Sequence, residues 1–345
     1  MHKFLKVVIT IFLFGIIAAG VYYHELISYG LSQLKGQLKI VLNARPVEEI
    51  LKDTEVADSI KYKLLLIQEV KAFAVAELGL EPNDNYSTFY KQNKDELLWA
   101  LSATKPFELS YYQWYFPFLG SVTYKGFFDK EMGLKEKEAL EKQGYDIDWG
   151  TVSGWSTLGF FKDPILQNFL NKSEGRLANL IIHELTHGTI YVKNNVDFNE
   201  NLASLIGDRG ALQYLEYRFG KASKEYQEYI MHREDSKRFQ KYIVSGAAKL
   251  DNLYKQIANF DEKQKLQLKN EMIETIIKGL DTIPFHQKEK YLKLSDDIRK
   301  SKNAFFMDYL RYNSQEDSLA QILDGQFKGD IKAYIQYLVL QNKYL

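Results

Sequence analysis

The chain has 345 residues, 46% hydrophobic and 26% charged, the make-up of a folded globular protein and not of a disordered one. Lys plus Arg and Asp plus Glu number 45 each, so the formal net charge is zero and the basic excess of a nucleic-acid-binding protein is missing. Cysteine is absent, which excludes disulfides, thiol nucleophiles and thiolate metal sites; any metal has to be held by histidine and carboxylate.

The chain begins "MHKFLKVVITIFLFGIIAAGVYYHEL". Lys3 and Lys6 precede an apolar run over 7–23, and the first acid is Glu25. A basic end before an apolar run predicts an export signal with its N-terminus in the cytoplasm. The run is about the minimum length that spans a bilayer, so 1–25 are read as a signal anchor. Ala18 and Gly20 leave cleavage open, in which case the protein is secreted. The expected location is the cell envelope: anchored in the inner membrane, with the remainder in the periplasm.

Residues 31–51 mix apolar and basic side chains and are broken by "ARP" at 44–46. Residues 60–80 have helical periodicity that stops at Gly79, and 81–87, "EPNDNYS", is turn chemistry. From 107 to 128 the chain becomes aromatic, β-branched and glycine-bearing, which predicts strands and tight turns. An amphipathic helix is expected over 129–142 and further strands over 144–161. Beyond Asn171 the chain reads as almost wholly helical, with Pro284 dividing two helices. The expected class is α+β, with a β-rich middle and a long helical C-terminal half. Residues 26–345 form one domain in this reading, with 26–192 and 193–345 as lobes facing a cleft.

Residues 177–207 read "LANLIIHELTHGTIYVKNNVDFNENLASLIG". A capping box of Asn171 and Glu174, or Ser173 alone, is expected to start the helix. His183 and His187 are four apart, so both imidazoles project from one face and can reach one cation. Zn²⁺ suits imidazole and carboxylate ligands with one position left for water. Glu184 is turned about 100° round the helix and need not ligate; it is placed to act as the base on that water. The asparagines after Val192 break the helix, and a second helix carries Glu200 in its first turn as third ligand. Ala203 and Gly207 share the Glu200 face and let the two helices approach. Tyr191, placed one turn further along the histidine face, is a candidate donor to the oxyanion.

The His-His-Glu pattern resembles that of gluzincin metallopeptidases. Six stretches in order, "GQLKIVLNARPVEEIL", "AFAVAELGL", "FPFLGSVTYKGFFD", "WSTLGFFKDPIL", "LIIHELTHGTIYV" and "FNENLAS", resemble a bacterial family of predicted zinc aminopeptidases, envelope proteins often predicted to be lipoproteins. The likeness runs over about 30–220; in the C-terminal helices it is confined to "KNAFFMDYLRY" at 302–312. The resemblance implies a zincin-like peptidase fold, a bound Zn²⁺ and a peptide substrate. It also implies an edge strand before the histidine helix, with Ser156, Thr157, Leu158 and Gly159 lining the cleft by strand addition. Tyr312 is a second candidate oxyanion donor.

The chain departs from the pattern in two places. The lipobox cysteine of many relatives is missing, so the N-terminal helix itself has to be the anchor. Ser204 stands where thermolysin-like enzymes carry an aspartate that orients a histidine; Asp208 and Asn201 are the alternatives. Glu81, Asp163 and Asp208 remain open as partners for a substrate α-amine, and His232 and His286 as distal acids. The expected function is thus a membrane-anchored zinc metallopeptidase acting on peptides, with no nucleic-acid partner. The alternative is an envelope binding protein that keeps a zinc site without turnover.

Overall fold

The computed structural model describes residues 4–5, 14, 20–92, 98–116, 120–152, 162–193, 195–311 and 316–342. The fold is a mixed α/β arrangement, mostly helical, with three small sheets among the described residues. It begins with α1 (His24–Asn43), β1 (Arg45–Pro46), α2 (Val47–Lys52) and α3 (Asp58–Ala76). Helix α3 buries Leu64, Ile67, Val70, Phe73 and Ala74, a helical repeat that gives it one apolar face. Gly79 follows at φ 73°, the left-handed conformation that turns the chain out of the helix.

The middle of the chain supplies β2 (Thr88–Tyr90), β3 (Trp99–Thr104), β4 (Trp114–Phe116), β5 (Gly120–Val122) and β6 (Tyr124–Phe127). Helix α4 (Lys130–Lys142), β7 (Asp146–Thr151) and β8 (Ile165–Leu166) complete it. β6-β3-β7 form an antiparallel sheet, β4-β5 a hairpin, and β1-β2-β8 a sheet with one parallel pair, β2-β8. The expected helix over 129–142 is present, with the Asp129 carboxylate accepting from Met132 N. The strands expected over 107–128 begin only at Trp114; before it, a single bridge joins Thr104 and Tyr111. Residues 153–161 lie outside the described residues, and with them the expected edge strand and its residues Ser156, Thr157, Leu158 and Gly159.

After a 3-10 turn at Gln167–Asn171, the described elements are all helical. They are α5 (Glu174–Thr189), α6 (Val196–Phe219), α7 (Lys224–Gln256), α8 (Glu262–Gly279), α9 (Lys288–Leu292), α10 (Leu294–Ser301), α11 (Asn303–Arg311), α12 (Glu316–Gln326) and α13 (Ile331–Asn342). Pro284 lies in the break between α8 and α9, as its lack of an N–H requires. Helix α6 is central: it touches α3, α5, α7, α12 and α13 and buries residues on nearly every side.

Three apolar cores organise the described residues. The largest takes Leu64 and Ile67 from α3, Ile181 and Ile182 from α5, Ile206 and Tyr214 from α6, and Tyr334 from α13. A second joins α7, α8, α10 and α11 around Phe239, Ile276 and Phe306. The third lies between α4 and the antiparallel sheet around Leu101, Phe127 and Ile147. A buried polar cluster ties the second to the third. There the Lys269 ammonium donates to Asp146 and to Pro106 O (2.8 Å), and Asn303 N donates to Asp146 Oδ2 (3.1 Å). Among the described residues no helix is long and apolar enough to cross a membrane; most of the 7–23 run falls outside them.

Candidate metal centre

Helix α5 puts Leu177, Ala178, Ile181, Ile182 and Leu185 into the largest core. That burial fixes its rotation and turns His183 and His187 towards α6. The capping box expected at its start does not form. Ser173 is the N-cap without a side-chain bond, and Glu174 instead accepts from Lys63 Nζ at 2.8 Å, pinning α5 to α3. Close approach of α6 comes from its small residues, as expected. A Cβ on Gly207 would stand 3.0 Å from Asn179 O and 3.1 Å from His183 Cβ; one on Gly210 would press on Ile182 at 3.1 Å.

The connection between the two helices decides where Glu200 goes. Ile190 is extended and buried in the core, so the helix stops at Thr189. The Asn199 side chain then grips Val192 from both sides: it accepts from Val192 N (2.8 Å) and donates to Val192 O (2.9 Å). Asn195 caps α6 by accepting from Phe198 N at 3.2 Å. This short, doubly bonded link lays the first turn of α6 beside the histidines.

Three donors converge there. His183 Nε2 and His187 Nε2 are 3.1 Å apart, His183 Nε2 to Glu200 Oε2 is 3.6 Å, and His187 Nε2 to Glu200 Oε1 is 3.5 Å. Donors about 2.0–2.1 Å from a tetrahedral ion sit about 3.3 Å from one another, so the set fits one small cation. All three side chains are partly exposed, which leaves a side open to solvent. Among the described residues this is the one set of three such side chains that converges. Burial, then neighbouring His183, pushes the His187 imidazole down to about 4, against a smaller opposing pull from Glu200. The neutral ring is the ligating form.

Glu184 is largely enclosed. Burial raises its carboxyl above the ordinary range; His183 opposes the rise, and Glu200 and Asp163 add to it. Asp163 is buried, its N–H donating to Asn85 Oδ1 (3.0 Å) and its carbonyl accepting from Tyr86 N (2.6 Å). Its charge acts on Glu184 from nearby. Asp208 is already engaged elsewhere, because Arg233 holds it with two bonds of 2.6 Å and Tyr229 donates to it at 3.3 Å. Tyr229 also accepts from Asn179 Nδ2 (2.9 Å), so this network braces α5, α6 and α7 together one turn before His183. Asn201 Nδ2 donates to Asp197 O (2.7 Å) within its own helix. His286 pairs with Glu234 (2.7 Å), and His232 lies beside Ser236 and Lys290.

One expected placement is corrected. Tyr191 does not continue the histidine face, because the helix ends two residues earlier; its side chain is 60% exposed. Tyr312 lies outside the described residues. Sequence reasoning missed Asn199 and the Asn179–Tyr229–Asp208–Arg233 brace. Asn199 carried a signal, an asparagine directly before Glu200 in "FNEN"; the brace spans three helices and carried none.

Two helices sharing a His-His-Glu donor set, with a further glutamate beside the first histidine, define a protein that could hold a metal ion next to a carboxyl group. The chain belongs to the family described as "Putative aminopeptidase", whose model matches residues 28–341. That membership supports a peptidase function. No curated protein and no solved structure matches the chain.

Proposed function

We infer that the chain is a zinc-dependent metallopeptidase of zincin-like, gluzincin type, an aminopeptidase by its family, with 26–345 as its single peptidase domain. The observation that carries this reading is the convergence of His183, His187 and Glu200 within 4.8 Å of one another beside Glu184. Zn²⁺ held by these three side chains would supply a Lewis acid for the scissile carbonyl and lower the pKa of an adjacent water towards 7.

The rest falls to the chain's own residues. Glu184, about 100° round α5 from His183, accepts a proton from the attacking water and delivers it to the leaving amine nitrogen. Asn199 and Gly207 hold the Glu200 helix at ligating distance. The apolar run over 7–23 serves as membrane anchor and sets the domain in the periplasm. In support, Phe14 and Val21 are 73% and 70% exposed, so the fold leaves these members of the run uncovered.

The test is zinc content and cleavage of free and N-terminally blocked peptides by wild-type and Glu184→Gln protein. Loss of about 10²–10⁴-fold in rate with zinc retained is expected. Blocked peptides surviving while free ones are cut establishes the aminopeptidase. Equal behaviour of wild type and variant would instead support the envelope binding protein.

A further inference from the structure

The fold uses one face of α1 and leaves the other bare. On the used face the Tyr29 hydroxyl and Gln33 Nε2 donate to Gly126 O at 2.8 and 3.0 Å, which fastens the helix to β6. Lys125 Nζ lies 4.5 Å above the Tyr29 ring, Gly36 abuts the Phe128 ring with no room for a Cβ, and Ile40 is buried. On the opposite side Ile27, Leu31, Leu34 and Leu42 are 47%, 62%, 48% and 76% exposed, and Leu38 partly so. At 100° per residue these five fall within an arc of about 80°, facing away from β6. A continuous apolar stripe of this kind marks a contact surface.

Three observations say what covers it. First, α1 starts at His24, directly after the apolar run. Tyr23, at φ −98° and ψ 16°, caps α1 and separates it from the helical residues 20–22, so the chain can turn there. Second, Lys35 and Lys39 are exposed along one border of the stripe, and residues 26–47 contain Lys35, Lys39 and Arg45 but no acid. That charge suits phosphate headgroups. Third, a second copy is a poor fit. The 27-31-34-38-41 spacing gives about two heptads where a coiled coil needs three or four, and the flanking lysines meet no acid across such a seam.

We propose that α1 lies in the surface of an anionic phospholipid bilayer, its leucine stripe among the acyl chains and Lys35 and Lys39 at the phosphates. Because its other face is fastened to β6, the peptidase domain is held at a set attitude to the membrane and does not swing on a tether. This goes beyond the catalytic reading and rests on it only for the anchor at 7–23.

The chain lacks cysteine, so single substitutions accept a unique nitroxide. The full-length protein carrying Leu31→Cys, Leu34→Cys, Leu42→Cys, Glu25→Cys or Asn43→Cys is reconstituted in phosphatidylglycerol–phosphatidylethanolamine vesicles. Collision of each label with oxygen is compared with collision with a water-soluble nickel chelate. Labels at 31, 34 and 42 should favour oxygen; those at 25 and 43, about 160° round from Ile27, should favour nickel. In phosphatidylcholine vesicles the preference at 31, 34 and 42 should shrink. Vesicle-bound protein with all five labels in water overturns the proposal and leaves the anchor standing. Dipolar broadening between labels at 31 or 34 of two chains overturns it in favour of a second copy. Protein that does not float with vesicles overturns the anchor and the proposal together.

Discussion

Gly207→Ala tests whether the donor set depends on how closely α5 and α6 approach. The new Cβ would meet Asn179 O at 3.0 Å and His183 Cβ at 3.1 Å, tight enough that the neighbours must give by a few tenths of an ångström. Overpacking of this kind costs about 1–3 kcal/mol. Replacing glycine by alanine inside a helix returns about 1 kcal/mol, so the net loss should be about 0–2 kcal/mol. Gly30→Ala separates the two effects, since Gly30 is also mid-helix but has nothing within 4 Å. Relative to that control, Gly207→Ala should be destabilised by about 1–3 kcal/mol. Two of the three crowded atoms belong to His183 and the third to Asn179, one turn before it, and Glu200 lies two turns before Gly207 on the same helix. Zinc affinity should therefore fall roughly tenfold, equivalent to about 1.4 kcal/mol. Urea unfolding of the metal-free protein and competition with a chromogenic chelator measure the two quantities. A Gly207→Ala protein as stabilised as Gly30→Ala, with unchanged zinc affinity, would refute the reasoning.

Glu200→Gln should weaken zinc binding by more than the roughly 10–100-fold that losing a partner of a metal ligand costs; the same chelator competition reads it, and unchanged affinity removes Glu200 from the donor set. Asn199→Ala strips both bonds from Val192 and should cost about 2 kcal/mol in urea unfolding. The Val192 amide should then exchange faster; unchanged exchange would show that the link holds without the clamp. His232 is pushed down to about 4, first by burial and then by Lys290 and Arg176, with Asp235 and Asp208 opposing. In the unfolded chain this imidazole titrates near 6.5, so as pH falls the unfolded state takes the proton first. The stability His232 contributes is present above about pH 6.5 and lost as pH falls towards 4. His232→Gln should flatten the fall of the urea midpoint across that window, and equal slopes in the two proteins would count against it.

The sequence was most legible where one helix could be read by itself. The four-residue spacing of the histidines, the polar break after Val192 and the small residues on the Glu200 face are local patterns, and the structure brings their side chains together. It was least legible where distant partners compete for a group. Glu174 leaves the expected capping box because Lys63, 111 positions away, offers a charged bond. Tyr191 leaves the helix because Ile190 is drawn into the core and Asn199 takes the Val192 amide. Strand β3 went unread because four of its six residues are buried in succession, so the alternation that betrays a half-exposed strand is missing. β1 and β8, two residues each, are too short for any period to show.

Two polar clusters in this chain, one buried and one partly open to solvent, obey opposite logic, and the contrast bears on what the histidine site is for. Around Asp146 the charges close on themselves. One carboxylate faces one ammonium, the spare capacity is taken by Asn303 N and Pro106 O, and the buried Tyr254 hydroxyl donates to Asn303 Oδ1 at 2.6 Å. Nothing further is needed there for the cluster to tie β7 to α8 and α11. At His183, His187 and Glu200 two ring nitrogens and a carboxylate face one volume. Two imidazole nitrogens 3.1 Å apart can share at most one proton between them, and Glu184 brings a second carboxyl beside them and no cation. A positive ion at the centre of such a set could be held by all three side chains at once. The close packing at Gly207 and the Asn199 clamp hold the crowd in place.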